Sequence, residues 1–132
     1  MNAYEDNPQE RGVRTMSLPL VVERYLRHHH LVVREHEHAP TCTARELAEV
    51  DRVPESMVAK TVFFWCDGQM VMGVIPANRH LNLHETARSM GAQDVRLATE
   101  SEIAQRISTL QLGSIPPFGS LFGLPVVMDR AL

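Results

Sequence analysis

Met57-Val58-Ala59-Lys60-Thr61-Val62-Phe63-Phe64-Trp65 crowds β-branched and aromatic residues together with no Gly or Pro among them. That composition predicts a β-strand. Set into it is Lys60, the single lysine of a chain whose other twelve basic residues are all arginine. An ammonium is a compact point charge that responds readily to burial, whereas a guanidinium is a planar fork that stays charged. Lys60 is therefore a candidate for positioning a phosphate, polarising a carbonyl or acting as a base. Spacing alone does not separate these roles from that of a lysine snorkelling out of a strand end.

Downstream, Asp67-Gly68 is a hairpin signal between this strand and Met70-Val71-Met72-Gly73-Val74-Ile75. Pro76-Ala77-Asn78 ends the hairpin. Leu83 to Met90 reads as a helix stopped by Gly91, Val95 to Leu97 as a short strand, and Thr99-Glu100-Ser101-Glu102 as the capping box of a helix reaching about Ile107. A Gly/Pro-rich loop, Gly113 to Ser120, precedes a strand over Leu124 to Met128. Upstream, Thr43 to Glu46 has capping-box spacing for a helix with Leu47, Ala48 and Val50 on its apolar side. Before it, Leu31 to His38 reads as extended, with His36 and His38 on one face, and Ala39-Pro40 stops it. Ser17 is read as the cap of a first helix that has Pro19 in its first turn and runs to about His29. Its buried stripe would be Leu18, Val21, Val22, Tyr25 and Leu26. Residues 1–15 are polar and aperiodic, a disordered or loosely attached leader. Interspersed strands and helices around an antiparallel hairpin predict a mixed α/β (α+β) fold.

The 132 residues, 44% of them hydrophobic, suffice for one domain with a core, placed over 16–132. A net charge of -3 argues against broad, sequence-blind nucleic-acid binding, though not against gripping a nucleic-acid end. Cys42 and Cys66 have neither disulfide-framework nor zinc spacing. No apolar run approaches the ~20 residues of a membrane span. These features predict a cytoplasmic protein with no membrane partner.

Seven histidines raise the question of a metal. His80 and His84 are four apart, but no HExxH occurs and no Cys or carboxylate completes a ligand set. The expectation is that no metal and no cofactor is used. No GxSxG elbow or paired carboxylates suggest a nucleophile or an acid/base couple. The loop at 113–120 can present fixed N–H groups to a carbonyl or phosphate oxygen, or can be an ordinary connection.

Taken in order, the His38 to Thr43 turn, AKTVFF, the hairpin ending IPANRHLNL, and GSIPPFGSLFGLPVVMD resemble the YbaK/prolyl-tRNA synthetase-associated editing domains, which are aminoacyl-tRNA deacylases. The resemblance runs from Ser17 to Asp129. It implies a single domain with a central, curved, mostly antiparallel sheet and surrounding helices. It also implies hydrolysis of the ester joining a wrong amino acid to tRNA, with Ala- or Cys-tRNA(Pro) as substrate and no triad, because the tRNA's own 2′-hydroxyl helps activate water. Carried over residue by residue, Lys60 becomes the catalytic lysine, holding the terminal adenosine. The amino-acid pocket draws on His36, His38, Thr41, Cys42 and Met57. Gly113, Ser114, Ile115, Pro116 and Pro117 form the loop whose backbone faces the aminoacyl carbonyl, and Phe118 and Gly119 extend the substrate-binding segment.

The resemblance further implies as partners the acceptor end of a mischarged tRNA and prolyl-tRNA synthetase. The family's usual later strand, Gly/His-bearing turn and final helix have no counterpart in these residues. An uncovered sheet edge, and a homodimer or other self-association that covers it, are therefore expected. The rival reading is a catalytically reduced relative that binds a tRNA end or a synthetase.

Overall fold

Strand β1 (Ala59–Cys66) and strand β2 (Gln69–Pro76) pair antiparallel along their whole length, from Ala59 opposite Pro76 to Cys66 opposite Gln69. This computed structural model describes residues 19–35, 41, 43–107 and 115–132. The chain divides into two compact units, Met1–Glu37 and His38–Leu132, and the second carries the sheet.

The turn between β1 and β2 has φ of 47° at Asp67 and 84° at Gly68. Positive φ at both central residues matches the right-handed twist of the flanking strands, and Asp-Gly is a preferred pair for it. Asp67 also ties in the next strand. Its carboxylate accepts from the N–H groups of Gln93 (3.1 Å) and Asp94 (2.8 Å), and its own N–H donates to the Asp94 carbonyl at 2.9 Å. Strand β3 (Val95–Leu97) thereby lies antiparallel to β1, with Phe64 opposite Leu97 and Cys66 opposite Val95. Strand β4 (Val126–Met128) pairs with β2 in parallel, giving the order β3-β1-β2-β4. Two of the three pairings are antiparallel, in keeping with a mixed α/β fold of mostly antiparallel sheet.

Alternation along the hairpin sorts its side chains. Phe63, Met70, Met72 and Val74 share one face, and Ile107, Ile115 and Leu124 pack on it with Trp65, Ile103 and Phe122. On the other face, Phe64 is fully buried and Val71 nearly so. Gly73 lies where a Cβ would come within 3.3 Å of the Phe64 ring, so its missing side chain admits that ring. Burying each such side chain contributes about 1.5–3 kcal/mol.

Among the described residues, three α-helices belong to the same unit. Helix α2 (Ala44–Asp51) is capped by Thr43, whose hydroxyl accepts from Glu46 N–H at 3.1 Å. Helix α3 (Leu83–Met90) is capped by Asn82 and stopped by Gly91 in the left-handed region. Helix α4 (Glu100–Arg106) has a complete capping box, Thr99 with Glu102. The first unit contains helix α1 (Leu20–His28), with Val22 and Leu26 buried. No described helix is long and apolar enough to cross a membrane.

Several expectations need correction. Helix α1 starts at Leu20 with Pro19 as its N-cap, rather than with Pro19 in its first turn. Pro19 offers no side-chain cap, but its carbonyl accepts from the N–H groups of Val22 and Glu23 at 2.9 and 3.1 Å, which places it just outside the first turn. Val21 and Val50 are exposed rather than buried, since each lies off the stripe set by the buried neighbours Val22 and Ala48. Leu31 to Glu35 form no strand; an alternating pattern without a partner ladder leaves Leu31, Val32 and Val33 exposed. The strand expected from Leu124 begins only at Val126, because Pro125 offers no N–H. The parallel pairing of β4 was not foreseen.

One ion pair joins the β3 edge to α4. Arg96 donates from both terminal nitrogens to the two oxygens of Glu102, each at 2.9 Å. These bonds, then that from the Thr99 N–H, lower the Glu102 carboxyl to about 2. A depressed carboxyl stabilises the fold fully above its unfolded value, about 4.5, and loses that contribution as pH falls through the folded value. Urea midpoints measured on Glu102→Gln and on the parent should therefore converge as the medium is acidified across this window. A gap that stays constant would show that the pair is not what titrates.

Candidate active site

At the open end of the hairpin, three segments enclose a cavity of about 320 Å³. Ala59, Lys60 and Thr61 of β1, with Val74 of β2, form one wall. Thr41 and the start of α2 (Thr43, Ala44, Leu47) form another, and Ile115 and Pro117 close it. Each wall has a local cause. The Pro54 kink and a 3-10 turn (Glu55–Met57) deliver the chain into β1. The Thr43 cap fixes where α2 starts. Ile115 is buried in the sheet core, which anchors the loop to which it belongs.

The described lining holds three threonines and one lysine as its polar side chains, against Ala, Leu, Val, Ile and Pro. Thr43 is committed as a cap acceptor, and its hydroxyl proton remains available to donate. The orphan N–H groups of the first turn of α2 add partial positive charge at this wall. Lys60 is half-buried, and its Nζ donates to the Ala77 carbonyl at 3.4 Å, a long and weak bond. Ala77 is itself fixed by donating its N–H to the Val58 carbonyl at 2.7 Å. Strand alternation puts Lys60 on the Val62–Phe64 side of β1, opposite to Thr61, so it reaches the cavity from the strand's start. Such a lining can bind a small apolar group and orient an anion or a carbonyl beside it. Among the described residues, no three His, Cys, Asp or Glu side chains converge as a metal would need.

Of the expected site residues, Lys60, Thr41, Ile115 and Pro117 meet at this cavity. Met57, Pro116, Phe118 and Gly119 are not in its wall. Met57 ends the 3-10 turn and is 74% exposed. Gly119 is buried elsewhere, where a Cβ would run into the Leu124 carbonyl oxygen and Val126 Cγ2. His36, His38, Cys42, Gly113 and Ser114 lie outside the described residues. Thr43, Ala44, Leu47, Ala59, Thr61 and Val74 were missed as lining residues. The capping spacing located the α2 start, but nothing local in sequence says that a helix start faces a strand start.

Residues 38–132 match the family model of the aminoacyl-tRNA editing domain. The chain belongs to that family. It is 35% identical over 91 residues to a proline–tRNA ligase of Acidithiobacillus ferrooxidans, covering 68% of this chain and 16% of the ligase. A proline–tRNA ligase of Streptococcus pneumoniae is 31% identical over 85 residues, 64% of this chain and 14% of the ligase. The chain thus spans a small fraction of these relatives. Among solved structures, the hypothetical protein APE2540 superposes with a TM-score of 0.72 at 30% identity, covering 85% of this chain and 75% of that one. A candidate trans-editing enzyme for prolyl tRNA synthetase superposes with a TM-score of 0.66 at 26% identity, covering 86% and 74%.

The Gly119 contact yields a stability prediction. Because the clash is with backbone as well as a side chain, Gly119→Ala should destabilise by about 1–3 kcal/mol, read from the denaturant midpoint. An unchanged midpoint would mean that the 3-10 turn at Gly119–Phe122 shifts freely.

Proposed function

We propose that this protein is an aminoacyl-tRNA deacylase acting in trans, with Ala- or Cys-tRNA(Pro) as substrate. The observation that carries the reading is the small cavity shared by Lys60, the α2 start and the Ile115–Pro117 segment, in a chain of the editing family. Ala44, Ala59, Thr61 and Val74 leave room for a short amino-acid side chain. Lys60 lies at its rim, where an ammonium suits a phosphate of the terminal adenosine. Water adds to the aminoacyl carbonyl carbon, the ester C–O bond breaks, and the tRNA oxygen takes the proton. In this reading the tRNA's neighbouring hydroxyl orients the water, so the protein contributes placement rather than a nucleophile. The wider site takes in His36, His38, Cys42, Met57, Gly113, Ser114, Pro116, Phe118 and Gly119. The reaction is cytoplasmic, beside prolyl-tRNA synthetase, which supplies the mischarged tRNA.

A homodimer accompanies this reading. Edge strand β4 exposes Val126, Val127 and Met128 at 40%, 37% and 59%, an apolar edge of the kind that pairs with another chain. Light scattering at tens of micromolar, well above the ~1 μM at which weak interfaces dissociate, should give a dimer mass. A monomer there removes this part of the proposal.

Lys60 tests the hydrolase reading. Lys60→Ala removes one weak hydrogen bond and no core volume, so its melting temperature should stay close to the parent's. Its rate on mischarged tRNA(Pro) should nevertheless drop by about 10²-fold, the order expected when the reacting ester is misplaced by an ångström. Lys60→Arg keeps the charge but not the compact geometry, and should rescue poorly. A parent that binds tRNA(Pro) but hydrolyses no mischarged form of it would identify a binding module instead.

A further inference from the structure

A second groove, of about 430 Å³, lies at the turn end of the hairpin, between β1–β2 and α4. Trp65 and Lys60 are five residues apart on β1, roughly 17 Å at the ordinary rise of a strand. The groove is therefore distinct from the cavity at Lys60.

Trp65, Met70 and Leu124 give it an apolar wall, and Gln105 and Arg106 of α4 give it a polar one. Three observations say what fits there. First, the indole Nε1 of Trp65 is buried with no hydrogen-bond partner, and buried indole N–H groups ordinarily have one. That atom is sealed from the groove, so an occupant meets the open part of the half-buried ring, which suits a planar, apolar body. Second, the carboxylate that shares the wall, Glu102, is held by both terminal nitrogens of Arg96. Arg96 also sits over the Trp65 ring, 5.6 Å from its centroid. The acidic charge of the groove is thus compensated in place. Third, Arg106 makes one long bond, from its terminal nitrogen to the Gly123 carbonyl at 3.4 Å, which leaves most of its donor fork for an anion.

We propose that this groove binds one nucleotide of a single RNA strand, with its base against Trp65 and its phosphate on Arg106. An aromatic wall beside a cation is the arrangement that holds unpaired bases, and the amide of Gln105 can meet a base edge. The inference rests on the reading that RNA is the substrate. Lys60 and Trp65 project from opposite faces of β1, so the groove would be a second grip on the RNA, apart from the adenosine at Lys60.

Trp65 is the single tryptophan of the chain, so its emission reports on this groove alone. Titration with a short single-stranded RNA of tRNA(Pro) acceptor sequence should quench it saturably. In Arg106→Gln the Kd should rise about tenfold, as for a lost charge-assisted contact. The slope of log Kd against log salt should become shallower by about 0.7, one phosphate contact fewer. Gln105→Ala should weaken binding without changing that slope. AMP serves as the other arm. Binding as tight as the oligonucleotide's overturns the RNA strand as the occupant, and much weaker binding supports it. Emission that does not respond to RNA while deacylation proceeds normally overturns this site and leaves the hydrolase reading standing. So does an Arg106→Gln Kd equal to the parent's. Quenching without any deacylation supports the site and overturns the hydrolase reading.

Discussion

The antiparallel ladder between β1 and β2 is the constraint on which the rest depends. Its register sets Phe63 against Met72 and Phe64 against Val71, so a shift by one residue would turn the whole apolar set to the wrong face. The same register places Lys60 opposite Ile75, two residues before Ala77, whose carbonyl accepts from the ammonium. The position of Lys60 is therefore a consequence of the core, not an independent feature. At the other end, the Asp67-Gly68 turn fixes the register and, through the Asp67 carboxylate, fixes β3 and the start of the segment leading to α4. One hairpin thus determines both the cavity at its mouth and the groove at its turn.

The parts of this fold that were legible in sequence are those specified by local chemistry. Asp67-Gly68 can adopt two successive positive φ angles, Gly91 can end α3, and Thr99 with Glu102 can close a capping box; each does so. These signals act over four residues or fewer and need no tertiary partner. The parallel pairing of β4 was not legible, because a strand of three residues has no period and its partner lies some fifty residues upstream. Leu31 to Val33 misled for the opposite reason. Alternation marks a strand only when a ladder is available to satisfy its backbone.

The candidate cavity was legible at its one chemical exception and not in its walls. Lys60 is singled out by composition, the single ammonium among arginines. Thr61 and Val74 are ordinary strand residues whose place at the cavity follows from cross-strand register, and Ala44 and Leu47 lie there only because α2 begins beside β1. Loop residues that a resemblance groups together also separate physically. Ile115 and Pro117 line the cavity, while Gly119 permits close packing against Leu124 and Val126. A glycine in such a loop can serve backbone approach within the protein rather than toward a ligand.

The central claim is that the cavity between the α2 start and the open end of the hairpin receives the aminoacylated end of a tRNA. Amide chemical-shift mapping with a non-hydrolysable aminoacyl-adenosine analogue tests it directly. Saturable shifts should cluster at Thr43, Ala44, Lys60, Thr61 and Val74, with Asp67 to Gln69 unmoved. Shifts confined to the turn end of the hairpin, or none at saturating analogue, would contradict it.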